Sequence, residues 1–158
     1  GGTKLLALLF DMNMLWESFI YLMLVKMQDD DFKVKAQQSK KFWKGRTVRP
    51  DMVVEYEGRT FVIDTKWKII TSDEVSDSDL KQMYVYNMYW DAPVSMLLYP
   101  GNENRTGVEG DYHKGMPNNQ LFNKCLLSYI SVLDETNKLD RNIGYTIKSN
   151  IMDSMFIH

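Results

Sequence analysis

Arg49-Pro50-Asp51-Met52-Val53-Val54-Glu55-Tyr56-Glu57-Gly58-Arg59-Thr60-Phe61-Val62-Ile63-Asp64-Thr65-Lys66 is the stretch on which the fold of this 158-residue chain turns. Met52 to Tyr56 reads as a short strand, and Arg59 to Ile70 as a longer one rich in β-branched and aromatic residues. Glu57-Gly58 supplies a two-residue turn between them, with glycine suited to positive φ. A hairpin centred there sets Asp51 opposite Asp64. Directly opposed residues on antiparallel strands project to one face, with Cβ atoms about 4.5–5.5 Å apart. Two carboxylates so placed repel each other unless one is protonated or a cation sits between them.

Lys66, two residues beyond Asp64, falls on the same face by the period-2 pleat. Two acids able to hold a divalent cation, with an ammonium beside them, are the parts that phosphodiester hydrolysis needs. The metal polarises a non-bridging oxygen and acidifies a bound water; the lysine orients that water or neutralises developing charge. The plainer alternative is a surface pair of Asp64 and Lys66 on a half-exposed strand, since a bare D-x-K tripeptide is common. Pro50-Asp51 in register with it is what lifts the pattern. A slip of one residue would put the acids on opposite faces.

Just upstream, Phe32 to Pro50 holds Lys33, Lys35, Lys40, Lys41, Lys44, Arg46 and Arg49 and no acid, with Phe42 and Trp43 among them. Such a block is either a phosphate-binding footprint or a solvated surface loop. A duplex whose scissile phosphate sat at the acids would pass near Lys40, Lys41, Lys44, Arg46 and Arg49. Trp43 either stacks on a frayed base or packs against the domain. Further upstream, Asp11 or Asn13 caps a helix reaching about Met27, apolar nearly all round and therefore expected to be largely buried. Glu17 is its one interior charge. Either it pairs with a base such as Arg49, or it joins the metal centre as a third carboxylate.

Downstream, Ser76, Asp77 and Ser78 are helix caps, and Leu80, Met83, Tyr84 and Met88 form a helical stripe ending near Trp90. Gln82 and Tyr86 lie opposite that stripe; Gln82 either reaches the acids or belongs to a solvated polar face. Val94 to Tyr99 has the continuous apolar run of a buried strand, which makes a strand–helix–strand crossover and a parallel pairing beside the hairpin. Pro100 to Pro117 reads as a long irregular loop, Cys125 to Leu133 as a fourth strand, and the tail from Asp134 has no clear pattern. The expected architecture is α/β, a mixed central sheet flanked by helices, as one domain over residues 3–158.

Composition narrows the rest. At 44% hydrophobic and 25% charged, collagen-like and wholly disordered chains are excluded. One cysteine, Cys125, excludes a disulfide framework and a Cys-rich zinc module. With only His113 and His158, a metal would be held by carboxylates and carbonyls, which points to a hard cation such as Mg²⁺. The apolar stretch Leu5 to Val25 is broken by Asp11, Asn13 and Glu17 and lacks a signal-peptide cleavage site, so a cytoplasmic protein without a membrane is expected. The Gly-Gly opening without an initiator Met reads as a fragment of a longer protein.

Four blocks taken together carry a resemblance: Phe10-Asp11-Met12-Asn13-Met14-Leu15-Trp16-Glu17, Arg49-Pro50-Asp51, Ile63-Asp64-Thr65-Lys66-Trp67-Lys68 and Asp79-Leu80-Lys81-Gln82-Met83-Tyr84-Val85-Tyr86. In order and spacing, and with the strand end Leu97-Leu98-Tyr99-Pro100, they resemble the nuclease region of the McrC family. McrC is the endonuclease subunit of McrBC methylcytosine-specific restriction systems, which defend against foreign DNA. The resemblance covers about Leu6 to Pro100. It implies the restriction-endonuclease-like PD-(D/E)xK fold and Mg²⁺-dependent cleavage of double-stranded DNA, with Mn²⁺ able to substitute. It also implies partnership with a McrB-like AAA+ GTPase; a homodimer or higher complex is left open. It casts Asp51 and Asp64 as metal ligands, Lys66 as the catalytic lysine, Glu17 as the acid of the first helix, and Gln82 as the polar residue of the helix after the core. Trp67 stands where the family pattern has Tyr, and the N-terminal region that engages McrB is missing. The rival expectation is a non-catalytic DNA-binding or scaffolding module that mainly stimulates a partner AAA+ GTPase; intact Asp51, Asp64 and Lys66 favour the enzyme.

Overall fold

The Glu57-Gly58 turn places both of its residues at positive φ, 46° and 75°, the geometry whose twist matches that of the flanking strands. In this computed structural model, which describes residues 1–68, 75–113 and 123–156, the turn joins β4 (Met52–Tyr56) to β5 (Arg59–Thr65). Pairing runs from Tyr56↔Arg59 to Met52↔Ile63, the register that the turn dictates. Alternation then divides the hairpin. Met52, Val54, Phe61 and Ile63 enter one core, and Val53 and Val62 enter another.

Before it come α1 (Gly2–Val25), β1 (Phe32–Ala36), β2 (Lys40–Trp43) and β3 (Arg46–Val48). After it come α2 (Asp77–Tyr89), β6 (Val94–Gly101), β7 (Arg105–Asp111), β8 (Lys124–Ser131) and α3 (Ile143–Phe156). Six strands form one mixed sheet in the order β1-β4-β5-β6-β8-β7, with β5, β6 and β8 parallel and the outer pairs antiparallel. β2 and β3 form a separate two-stranded hairpin. Trp16, Ile20 and Leu24 of α1 and Ile143, Ile147 and Ile151 of α3 fill the core on one face; Met83, Tyr86 and Trp90 fill the other. The expected mixed α/β architecture is present.

Several elements differ from expectation. The stretch expected as one basic loop contains β1, where Phe32 and Val34 are buried and Lys33 and Lys35 exposed, and then the β2–β3 hairpin. β5 stops at Thr65, because Lys66 to Lys68 leave the strand; residues 69 and 70 of the expected strand lie outside the described residues. Pro100 to Pro117 is not wholly a loop, since β7 pairs with β8 there. The tail from Asp134 holds α3.

The first helix departs most. α1 starts at Gly2, not at Asp11 or Asn13, since the apolar residues from Leu5 onward extend it past both candidate caps. Nor is it largely buried: Leu6 is 70% exposed and Leu15 60%, while among the described side chains the seam Trp16, Ile20 and Leu24 is enclosed. By length and composition alone α1 could cross a membrane. Its seam lies in the core, however, and Trp16 Nε1 donates to Leu98 O at 3.2 Å.

Candidate functional site

The acids meet where β5 ends. Asp51 precedes β4 by one residue, and its Oδ2 accepts from Thr65 N at 2.7 Å and Thr65 Oγ1 at 2.8 Å. Asp64 is 4% exposed, with its Oδ2 2.8 Å from Lys66 Nζ. Lys66 therefore lies on the acid face, two residues along the chain from Asp64. Lys66 Nζ also lies 3.7 Å from Asp79 Oδ1 and donates to Gln82 Oε1 at 3.1 Å. Ser76 Oγ caps α2 by accepting from Asp79 N at 3.1 Å, which sets the first turn carrying Asp79 and, three residues on, Gln82.

A chain of bonds fixes the Gln82 amide. Gln82 Nε2 donates to Tyr86 OH at 2.9 Å, and Tyr86 OH donates to Arg49 O at 3.1 Å. A carbonyl can only accept, so the Tyr86 proton is committed to Arg49 and its oxygen must accept from Gln82. The amide oxygen is thereby turned to Lys66. The buried face of α2 is thus Met83, Tyr86 and Asn87, and Met88 of the expected stripe is 42% exposed. Gln82 faces the acids, not bulk solvent alone.

Electrostatics follow from this crowding. Burial, and then Asp51, push the Asp64 carboxyl up to about 6, against the pull of Lys66 and of the Asp51 N–H. Burial also raises Asp51, opposed by the two Thr65 hydrogen bonds and reinforced by Glu17. Glu17 is raised by burial and by Asp64, and lowered by Arg49, so both expected neighbours of Glu17 act on it. Burial alone would pull the Lys66 ammonium down; Asp64, Asp79 and Asp51 outweigh it and hold Lys66 above its usual value. Glu17, Asp51, Asp64, Lys66 and Gln82 are therefore gathered at one place. Among the described residues, no three His, Cys, Asp or Glu side chains are already drawn together as a metal cage.

Asp79 and Thr65 belong to this site without having been expected there, while Tyr86 was expected only as the neighbour of Gln82 on one helix face and Asn13 only as a helix cap. Asp79 had a signal, its spacing of three from Gln82. Nothing local signals the contact of Asn13: inside α1, its Oδ1 accepts from Trp67 N at 2.9 Å across 54 positions of chain.

The basic residues separate. Lys40 Nζ donates to Tyr89 O at 2.6 Å, at the C-terminus of α2, and lies 4.9 Å from the Trp90 ring. Lys41, Lys44, Arg46 and Arg49 are exposed. Between the hairpin and α2 lies a cleft of about 460 Å³ lined by Phe42, Thr47, Val48, Arg49, Gln82 and Tyr86.

A family model described as McrBC 5-methylcytosine restriction system component matches residues 1–100, the span that holds all of these groups. No curated protein matches the chain significantly. Among solved structures, the chain superposes on one from Thermococcus gammatolerans, described as a refined half-complex from a tetradecameric assembly of McrB AAA+ hexamers with bound McrC. The TM-score is 0.62 at 18% identity, over 89% of this chain and 33% of that one, so the likeness is one of fold and this chain spans a third of that chain's length. With the family model covering 100 of its 158 residues, the chain belongs to the McrBC 5-methylcytosine restriction system component family.

Proposed function

We propose that this chain is the nuclease domain of a McrBC-type system, a PD-(D/E)xK endonuclease domain that hydrolyses double-stranded DNA with Mg²⁺, or Mn²⁺ in its place. One observation carries the proposal: Lys66 Nζ stands 2.8 Å from a buried Asp64 whose carboxyl is pushed up to about 6, with Asp51 beside it. Such a cluster is poor support for a fold and suits a site awaiting positive charge.

The donor set fits a hard cation. Glu17, Asp51 and Asp64 act on one another, Asp79 joins Asp51 and Asp64 around Lys66, and Arg49 faces Glu17, so acid exceeds base, and every donor is oxygen. Mg²⁺ is commonly held by one or two carboxylates and several waters, so Asp51 and Asp64 suffice without a preformed cage, and Glu17 acts through water. When bound, the metal supplies Lewis acidity toward the phosphate and a more acidic water. Lys66, held charged by its carboxylate neighbours, places a proton donor and a cation at the phosphate oxygens; it is not a base at neutral pH. Gln82 orients the ammonium. Lys41, Lys44, Arg46 and Arg49 face the DNA backbone. By analogy with the McrB AAA+ hexamers in the solved assembly, the domain works with an AAA+ subunit, which the family resemblance makes GTP-driven, and we place both in the cytoplasm.

A second reading has one observation in its favour. Lys66 already satisfies Asp64, and Thr65 already satisfies Asp51, as they would in a DNA-binding or scaffolding module that stimulates a GTPase without cutting. Plasmid nicking by the full-length protein, with Mg²⁺ and with or without its AAA+ partner, separates the two. Wild type should nick, and Lys66→Ala should bind metal but lose cleavage. Equal rates for both, or no nicking by the complete assembly, would refute the enzyme.

A further inference from the structure

The β2–β3 hairpin stands apart from the six-stranded sheet, and the pleat sorts its side chains. Lys40 and Phe42 turn to α2: Lys40 Nζ holds Tyr89 O, and the Phe42 and Tyr89 rings lie 6.2 Å apart, edge to face. A bulge between Lys41 and Trp43 then breaks the alternation, and both side chains are exposed. Trp43 is 63% exposed and sits across from Arg46, whose guanidinium is 5.9 Å from its ring. The large aromatic is therefore not packed against the domain, although Phe42 beside it is anchored. Lys41, Lys44 and Arg46 are its exposed basic neighbours in the hairpin sequence, and no acid occurs between Phe32 and Pro50. The strand leaving this hairpin leads through Arg49 and Pro50 directly into Asp51.

Resting on the reading of the chain as a nuclease domain, we propose that this hairpin is the ribbon that grips the duplex, with Trp43 stacking on a base displaced beside the scissile phosphate. A two-stranded ribbon is narrow enough for a DNA groove. Its charge is complementary to phosphate along its whole length, which selects nucleic acid over an ordinary protein surface. An exposed indole gains from a base because every base offers a π-face, and displacing a base next to the bond to be cut opens the backbone there. Lys40 is excluded from this grip. It is the anchor that holds the ribbon to α2.

The test uses the full-length chain and a short duplex carrying 2-aminopurine near the cleaved bond, in metal-free buffer, so that it does not depend on cleavage. Wild type should bind with a fluorescence change at one or two positions. Trp43→Ala should abolish that change and weaken binding roughly tenfold, while Trp43→Phe keeps part of both. Replacing Lys41, Lys44 and Arg46 together by Ala should reduce the slope of log K against log salt by about 3. Lys40→Ala should lower the melting temperature and leave that slope nearly unchanged. Trp43→Ala binding like wild type with the same fluorescence change would overturn the grip while leaving the nuclease reading intact. Loss of binding to the AAA+ partner with DNA affinity unchanged would assign the tip to a protein surface and equally overturn it. Absence of any DNA binding would remove both.

Discussion

Replacing Asp64 by Asn asks whether the site is held against the interests of the fold. Asp64 is 4% exposed, and its carboxyl is raised from 3.8 to about 6 by burial and by Asp51. A carboxyl moved that far destabilises the folded state in its ionised form by on the order of 3 kcal/mol. The sign is set by the direction of the shift. Because the folded-state value is the higher one, the favourable contribution is complete below the unfolded value near 3.8 and is lost as pH rises through about 6. Asn keeps the shape and cannot ionise. Allowing for an imperfect amide fit beside Lys66, Asp64→Asn should exceed wild type at about pH 8 by on the order of 2 kcal/mol, or about 4–8 °C in melting temperature. The difference should shrink toward zero at about pH 4.5. Metal-free thermal melts at the two pH values decide it. An Asn variant less stable than wild type by one margin at both would show that the Asp64–Lys66 pair is a structural support, and would refute the reasoning.

Tyr86→Phe should leave the fold and DNA affinity nearly intact and lower kcat about tenfold, because Gln82 loses the partner that turns its oxygen to Lys66. In a Gln82→Ala background the same change should cost nothing more; equal losses in both backgrounds would make Tyr86 merely structural. Gly144→Ala should destabilise by about 1–3 kcal/mol, since a Cβ there would overlap Met23 O, backbone that α1 cannot easily withdraw. Urea unfolding reads this directly, and a midpoint at or above the wild-type value would show that α1 and α3 separate freely.

What could be read in advance was local. The β4–β5 hairpin needs only a two-residue turn and its flanking alternation, so its register and the Asp51, Asp64 and Lys66 set were within reach of the residues alone. The regions misread answer to distant partners. β7 is specified by β8, as in Arg105↔Tyr129, and nothing within Pro100 to Pro117 announces a strand. In β1, Lys33 and Lys35 gave the stretch its basic character and hid the alternation of Phe32 and Val34, which pair with Tyr56 and Val54. Asp11 and Asn13 are good caps that the helix overruns, because helical hydrogen bonds and the residues from Leu5 onward favour continuing it. α3 does carry a local signal: Ile143, Ile147 and Ile151 recur every four residues, as a buried helix face requires.

The site also shows why α1 matters beyond packing. Its seam residue Trp16 is tied to Leu98 O on β6 and lies 5.8 Å, edge to face, from Trp67, while Asn13 holds Trp67 N. These contacts fasten the helix to the backbone immediately after Lys66. Glu17 follows Trp16 by one residue, so it arrives beside Asp64 and Asp51 through that fastening and with no ion pair of its own among the described residues. Long-range contacts thus bring a third carboxylate to two that a hairpin had already opposed. A fold selected only for stability would gain by losing that charge, since burial raises both Glu17 and Asp51. Binding of a cation to the folded state alone would return the lost stability by mass action, and the excess of acid then becomes affinity.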